Sequence, residues 1–386
     1  MWFFTAPKIV FGAGAIEFLA SLPTKKAMIV CDRFLAEQGT YKPVQEQLEK
    51  AGASVKVFGE VEPEPHITTV SSGLKIARAF EPDTIVGLGG GSAMDMAKAI
   101  YALYERPDLT IYDLTPIVDL NLGKKARLIQ VPTTSGTGAE TTWATIITEG
   151  EGGRKLELAH RDLIAQWAVL DPMFPSSMPP KLTADTGADA LAHSIESISS
   201  QWSNPFSDAM GMKAVDTIFR YLPKAVKGQP VPSEVREELH LAAAMAGLSF
   251  GNAQIGIGHA LGHAFGSVFK VPHGRTVGLF LPYHIEFNFA AARDKFARLS
   301  PVLGDSTVRN ARDLSAKVRS LWDQIGMSKT IPEATKVTEK EFEEKLPELV
   351  ERADSSTGLV ANARVPTSQE LERIFRAAWS GAPVDF

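Results

Sequence analysis

A chain of 386 residues with 44% hydrophobic and 22% charged side chains has the make-up of a globular protein, and its length calls for two domains around separate cores. The formal charge of −5 is spread along the chain without a long run of one sign, which argues against nucleic-acid and membrane-surface partners and leaves small-molecule chemistry as the expectation. The single cysteine, Cys31, excludes an internal disulfide and zinc sites built from cysteine pairs, and it fits a cytoplasmic setting.

In chain order, Met1 to Phe11 is apolar but contains Pro7 and Lys8 and lacks a basic start, a long apolar core and a small-residue cleavage site, so it is read as an edge strand and not as a secretion signal. Short apolar runs follow at Ala27 to Cys31, Ser54 to Phe58, Thr84 to Leu88, Leu128 to Val131 and Trp167 to Leu170. Most are separated by helical patterns such as Val70 to Phe80 and Ala93 to Leu103. That alternation predicts an α/β domain, a Rossmann-like parallel sheet covered by helices, over residues 1–180. Asp32 closes the first of these strands, where a carboxylate can accept from adenosine ribose hydroxyls and repel the extra phosphate of NADP, or else cap a helix or sit in an exposed turn.

The strand Thr84 to Leu88 runs into Gly89-Gly90-Gly91-Ser92 and then a helical pattern. A strand, three glycines and a helix start let backbone N–H groups reach a phosphate at the positive end of the helix dipole; the spacing is not G-x-G-x-x-G, and a tight turn without a ligand is the lesser alternative. Leu128 to Val131 runs likewise into Pro132-Thr133-Thr134-Ser135-Gly136-Thr137-Gly138, and two such turns at the C-terminal ends of parallel strands would share one crevice.

After Pro179 and Pro180, read as a hinge, strand signals stop and helical patterns take over at Thr186 to Ser199, Ser207 to Tyr221, Glu234 to Leu248 and Ser368 to Trp379. They predict an all-helical domain over residues 181–386. Leu239 to Phe269 carries no Asp, Glu, Lys or Arg, but its His240, Asn252, Gln254, His259 and His263 and its many Gly and Ala residues suit packed helices better than a membrane span.

Among eight histidines, His259, His263 and His273 lie close together in the chain, and Asp189 precedes His193 at i, i+4, as His259 precedes His263. Residues at i and i+4 share a helix face, so each pair can grip one ion, and Pro272-His273-Gly274 can present a further imidazole from a turn. One Asp with two or three histidines and no thiolate suits Fe(II), Zn(II) or a similar ion with a position left open for substrate. Spacing alone does not say which histidines join Asp189, because a redox site also needs a proton carrier beside the metal. His240 and His284 are read as hydrogen-bonded core residues, and Glu196, three residues after His193, as an ordinary surface glutamate in preference to a support behind the metal ligands.

Gly89 to Lys98, Pro132 to Glu140, Thr186 to His193, Gly258 to His263 and Pro272-His273-Gly274 resemble the iron-containing (group III) alcohol dehydrogenases, in the right order and nearly end to end. The resemblance implies a dehydroquinate synthase-like architecture, with Asp189, His193, His259 and His273 as metal ligands and His263 as a non-ligating histidine beside the nicotinamide. It further implies Gly90, Gly91, Ser92 and Asp95 at the pyrophosphate of NAD(H), Thr133, Thr134, Thr137 and Lys155 lining the cofactor, Leu182 near it, and Asp32 at the position tied to NAD preference. A cytoplasmic homodimer or larger homo-oligomer acting on a small-molecule alcohol or aldehyde is expected. Asn362-Ala363-Arg364 and Glu64 depart from the family pattern, and Ala144, Phe250 and 355–360 fall where members shape their substrate pockets. Two other readings stand beside this one: a zinc-dependent polyol-phosphate dehydrogenase or dehydroquinate synthase-like enzyme, and a non-redox metal hydrolase that would leave both glycine turns idle.

Overall fold

Side chains that alternate between two cores build the sheet. Met28 and Val30 point into one core with Phe58, Ile85 and Ile100, while Ala27, Ile29 and Cys31 point into a second with Val86, Leu88, Ile129 and Val131. A strand with both faces buried reads as a continuous apolar run, which is why the parallel strands are legible as such. The computed structural model describes residues 3–150, 153–228 and 230–386. Its strands are β1 (Lys8–Phe11), β2 (Lys26–Asp32), β3 (Ser54–Val61), β4 (Thr84–Gly89), β5 (Arg127–Pro132), β6 (Ala144–Glu149), β7 (Arg154–Ala159) and β8 (Trp167–Leu170). Six form one sheet of order β1-β8-β5-β4-β2-β3, in which every pair is parallel.

The chain divides into Thr5–Ser177 and Met178–Phe386, the latter joined by Phe3 and Phe4. In the first unit the sheet is accompanied by α1 (Arg33–Gln38), α2 (Lys42–Lys50), α3 (Ile67–Phe80) and α4 (Gly91–Glu105). Within the apolar N-terminal stretch, β1 forms the sheet edge, and Met1 and Trp2 lie outside the described residues. The antiparallel hairpin β6–β7 has no counterpart in the expected elements.

The second unit is helical among its described residues: α5 (Pro180–Ser199), α6 (Pro205–Lys227), α7 (Ser233–Gly251), α8 (Ile257–Phe269) and α9 (His273–Asn288), then further helices including Ala311–Ile325, Glu339–Asp354 and Ser368–Ser380. One apolar core gathers α5, α6, α7, α9 and Ala311–Ile325; another gathers α8, α9, Glu339–Asp354 and Ser368–Ser380. The double proline opens α5, with Pro179 at the N-cap and Pro180 as the first helical residue. Proline's fixed φ and missing N–H suit that position, so the helix begins earlier than the Thr186 read from periodicity. His273 likewise starts α9, with Pro272 as its N-cap, where a turn was expected. No helix among the described residues is long and apolar enough to cross a membrane.

Candidate active site

The two glycine turns meet at the C-terminal ends of the neighbouring strands β4 and β5. Gly89 has φ 150°, and a Cβ there would lie 2.7 Å from the Cβ of Ala93, so β4 can turn this tightly into α4 only with glycine. Gly90 is the N-cap of α4 and has no side chain to cap it, which leaves the first-turn N–H groups to a ligand. The Thr133 amide donates to the Gly89 carbonyl at 2.9 Å. Cβ atoms on Gly90 and Gly91 would stand 3.5 Å from Thr134 Oγ1 and 3.1 Å from Thr137 Cγ2. Thr137 Oγ1 itself accepts from the Ala139 amide at 3.4 Å, and the Ser92 hydroxyl donates to the Pro63 carbonyl at 2.5 Å.

Asp32 ends β2 beside these turns. Its Oδ1 accepts from the Leu35 amide at 2.8 Å and so caps α1, while Oδ2 is 3.5 Å from where a Gly89 Cβ would be. Burial raises its pKa against the pull of those backbone donors. The Asp95 carboxylate is engaged within the fold: Oδ2 accepts from the Ile146 amide at 2.9 Å and Oδ1 lies 3.4 Å from Lys98 Nζ. Fully buried Lys98 also donates to Thr142 Oγ1 at 3.3 Å and the Ala144 carbonyl at 2.7 Å, so Asp95 and Lys98 together fasten β6 to α4. Nearby Glu140 is pushed up to about 7 by burial. Lys155, on β7 opposite Thr148, holds Nζ 3.9 Å from Glu64 Oε1. Leu182 sits in the first turn of α5, in the other unit, 41% exposed.

In the helical unit, α5 puts Asp189 and His193 on one face and α8 does the same for His259 and His263. The third approach depends on Gly274, where a Cβ would meet the Asp185 carbonyl at 2.2 Å. Glycine therefore lets the start of α9 lie against α5 and carries His273 to Asp189. Asp189 Oδ1 lies 4.0 Å from His193 Nε2, 3.6 Å from His259 Nε2 and 3.2 Å from His273 Nε2. Ligands bound at about 2.1 Å around a tetrahedral ion would stand about 3.4 Å apart, close to these separations. Asp189, His193 and His259 are buried, and Asp189 Oδ1 and His259 Nε2 have no hydrogen-bond partner. Polar atoms orphaned in a core are costly unless something absent here joins them, and a divalent cation fits this donor set.

Asp189 and His193 carry the charge state a ligand needs, whereas the acidic neighbours of His259 favour its protonated form, so a cation would displace a proton from its Nε2. Burial would raise Asp189, yet His193 and His273 hold it well below the usual carboxylate range. Burial lowers His193 to about 3, keeping it neutral as a ligand must be. His193 stacks on Phe250 with ring centroids 4.1 Å apart, and His263 lies beside the group, 5.7 Å from His259 and 5.1 Å from His273 by ring centroids.

Glu196 corrects the expectation of a surface residue. It is fully buried on α5, its Oε2 is 3.0 Å from His259 Nδ1, its Oε1 accepts from the His259 amide at 3.1 Å, and it also accepts from the Gly256 amide. Against burial, the neighbouring His259 and His284 hold Glu196 down at about 2; against burial too, Glu196 and Asp189 raise His259 to about 9. His284 is the core residue expected, bonded to Ser199 Oγ at 3.0 Å and Asn288 at 3.2 Å. Asn362, in the departing Asn-Ala-Arg segment, accepts from the Ile257 amide at 3.1 Å.

Comparison with known proteins gives matches to two family models, "Iron-containing alcohol dehydrogenase" over residues 6–172 and "Fe-containing alcohol dehydrogenase family, C-terminal" over 183–379. The NADPH-dependent butanol dehydrogenase of Clostridium saccharobutylicum is 36% identical over 99% of both chains. The iron-containing alcohol dehydrogenase of Thermococcus thioreducens superposes with a TM-score of 0.90 at 30% identity, covering 99% of this chain and 100% of that one. Sulfoacetaldehyde reductase of Bifidobacterium kashiwanohense, solved in complex with NAD+, superposes with a TM-score of 0.86 at 28% identity over 98% of this chain and 99% of its own. Longer aldehyde-alcohol dehydrogenases are matched as well, but this chain spans only 46% of their length.

Proposed function

This chain belongs to the iron-containing alcohol dehydrogenase family, and we propose that it transfers a hydride between NAD(H) and a small alcohol or aldehyde at a divalent metal, iron(II) in preference to zinc(II), held by Asp189, His193, His259 and His273. The observation that carries this reading is the convergence of three imidazole Nε2 atoms within 4.0 Å of one buried carboxylate oxygen that has no hydrogen-bond partner.

When bound, the ion supplies Lewis-acid polarisation of the substrate oxygen and lowers the pKa of the alcohol. A bound nicotinamide would supply or accept the hydride. Gly90 and Gly91 offer α4 amides to the pyrophosphate, with Thr133, Thr134, Thr137 and Lys155 around the cofactor, Leu182 against it and Asp32 toward its ribose. Ser92 and Asp95 shape this turn through their contacts with Pro63 and Ile146. His263 moves the proton, leaving the other four side chains to the ion. Asp32 supports NADH over NADPH, in contrast to the butanol dehydrogenase named for NADPH. The unpaired side of β1 at the sheet edge, with Phe11 64% exposed there, supports assembly into a homo-oligomer.

The test is to load metal-stripped protein with Fe(II) or Zn(II) and follow NADH absorbance across a panel of small aldehydes and alcohols. Turnover that is greatest with Fe(II) is expected. No turnover with any metal on any substrate would overturn the proposal.

A further inference from the structure

The geometry points to Glu196 as the positioning residue of the metal site: its carboxylate fixes the ring of His259 through Nδ1 and so aims Nε2 at the ion, an inference that rests on the metal reading above. An imidazole has two nitrogens, and the one that donates elsewhere leaves the other to ligate. With Nδ1 3.0 Å from Glu196 Oε2, donation of the Nδ1 proton to that carboxylate leaves Nε2, 3.6 Å from Asp189 Oδ1, as the nitrogen that gives up its proton to an ion.

The same carboxylate anchors the backbone that carries the ring. The N-cap of α8 is Gly256, which has no side chain, and Glu196 takes over the capping role from another helix by accepting from the Gly256 and His259 amides. A negative charge there also meets the positive end of the α8 dipole. Asn362 Oδ1 accepts from the Ile257 amide between them, so three donors at the start of α8 are satisfied by side chains distant in sequence. Ring, tautomer and helix end are thus set by one group on α5, the helix that also bears Asp189 and His193. Gly258 is part of this arrangement, because a Cβ on it would lie 2.2 Å from Glu196 Oε1.

Two substitutions test the inference, with Co(II) as the probe. Affinity is read by chelator competition on the full-length metal-stripped protein, alongside the Co(II) absorption spectrum and the thermal midpoint of the metal-free form. Glu196→Gln should bind Co(II) roughly 10- to 100-fold more weakly with an altered spectrum. Gly258→Ala keeps the carboxylate and favours the helix, yet it should weaken binding in the same direction by displacing Glu196. A merely structural role would lower the thermal midpoint and leave affinity and spectrum unchanged in the folded fraction, and that result overturns the inference. Where Glu196→Gln fails to fold, Gly258→Ala decides: wild-type affinity in it overturns the inference. Wild-type protein that binds no Co(II) would instead bring down the metal reading and this inference with it.

Discussion

One oxygen of Asp32 caps α1 while the other stands beside the glycine turn, so a single carboxylate has a folding role and is proposed to have a recognition role as well. The two roles separate on substitution. Glycine is itself an acceptable N-cap, costing only about a few tenths of a kcal/mol relative to aspartate. Asp32→Gly should therefore barely move the thermal midpoint, while the ratio of NADPH to NADH efficiency rises as the repulsion of a 2′-phosphate disappears. An unchanged ratio in steady-state kinetics would place cofactor choice elsewhere. The histidines of α8 divide similarly. His259→Ala removes a proposed ligand and should lose metal and nearly all activity. His263→Ala should keep its metal and slow by roughly 10²- to 10⁴-fold with a changed pH profile, the range for loss of a general acid or base. Metal analysis of the two purified variants checks this, and full occupancy in His259→Ala with loss in His263→Ala would reverse the assignments.

At the scale of elements, the site depends on where helices begin. α9 starts at His273 only because Gly274 lets its first turn touch the Asp185 carbonyl, and the Arg275 guanidinium then pairs with Asp185 at 2.8 Å. Gly274→Ala should push His273 off Asp189 and lower metal content in the folded protein, although alanine is the better helix former. Metal analysis after gel filtration reads the outcome, and full occupancy would show that His273 does not need this close approach. Much of this was legible beforehand: apolar runs gave the parallel strands, and i, i+4 spacing put Asp189 with His193 and His259 with His263 on shared faces. The hairpin β6–β7 was not, because its apolar Ile147, Leu156 and Leu158 are interleaved with polar Thr148, Lys155 and Glu157 over only a few residues, and Thr148 is buried despite being polar, so the pattern does not stand out. Glu196 was misread for a different reason. Its i+3 spacing from His193 puts it near the cluster, but only the tertiary approach of the α8 N-terminus shows that it is buried; Gly258, beside His259, was the local sign that something needs room there.

Across the whole molecule, the proposed nucleotide contacts other than Leu182 lie in Thr5–Ser177 and the proposed metal ligands in Met178–Phe386, each unit built around its own cores. The proposed hydride transfer needs both sets of residues, and isotopic label follows that reaction atom by atom. NADH carrying deuterium on the transferring face of its nicotinamide ring should, with Fe(II)-loaded protein and a small aldehyde, give alcohol deuterated at the carbinol carbon. Metal-stripped protein under the same conditions should give none. Alcohol formed without the label, or equal label transfer by the stripped protein, would contradict metal-dependent hydride transfer from the nicotinamide.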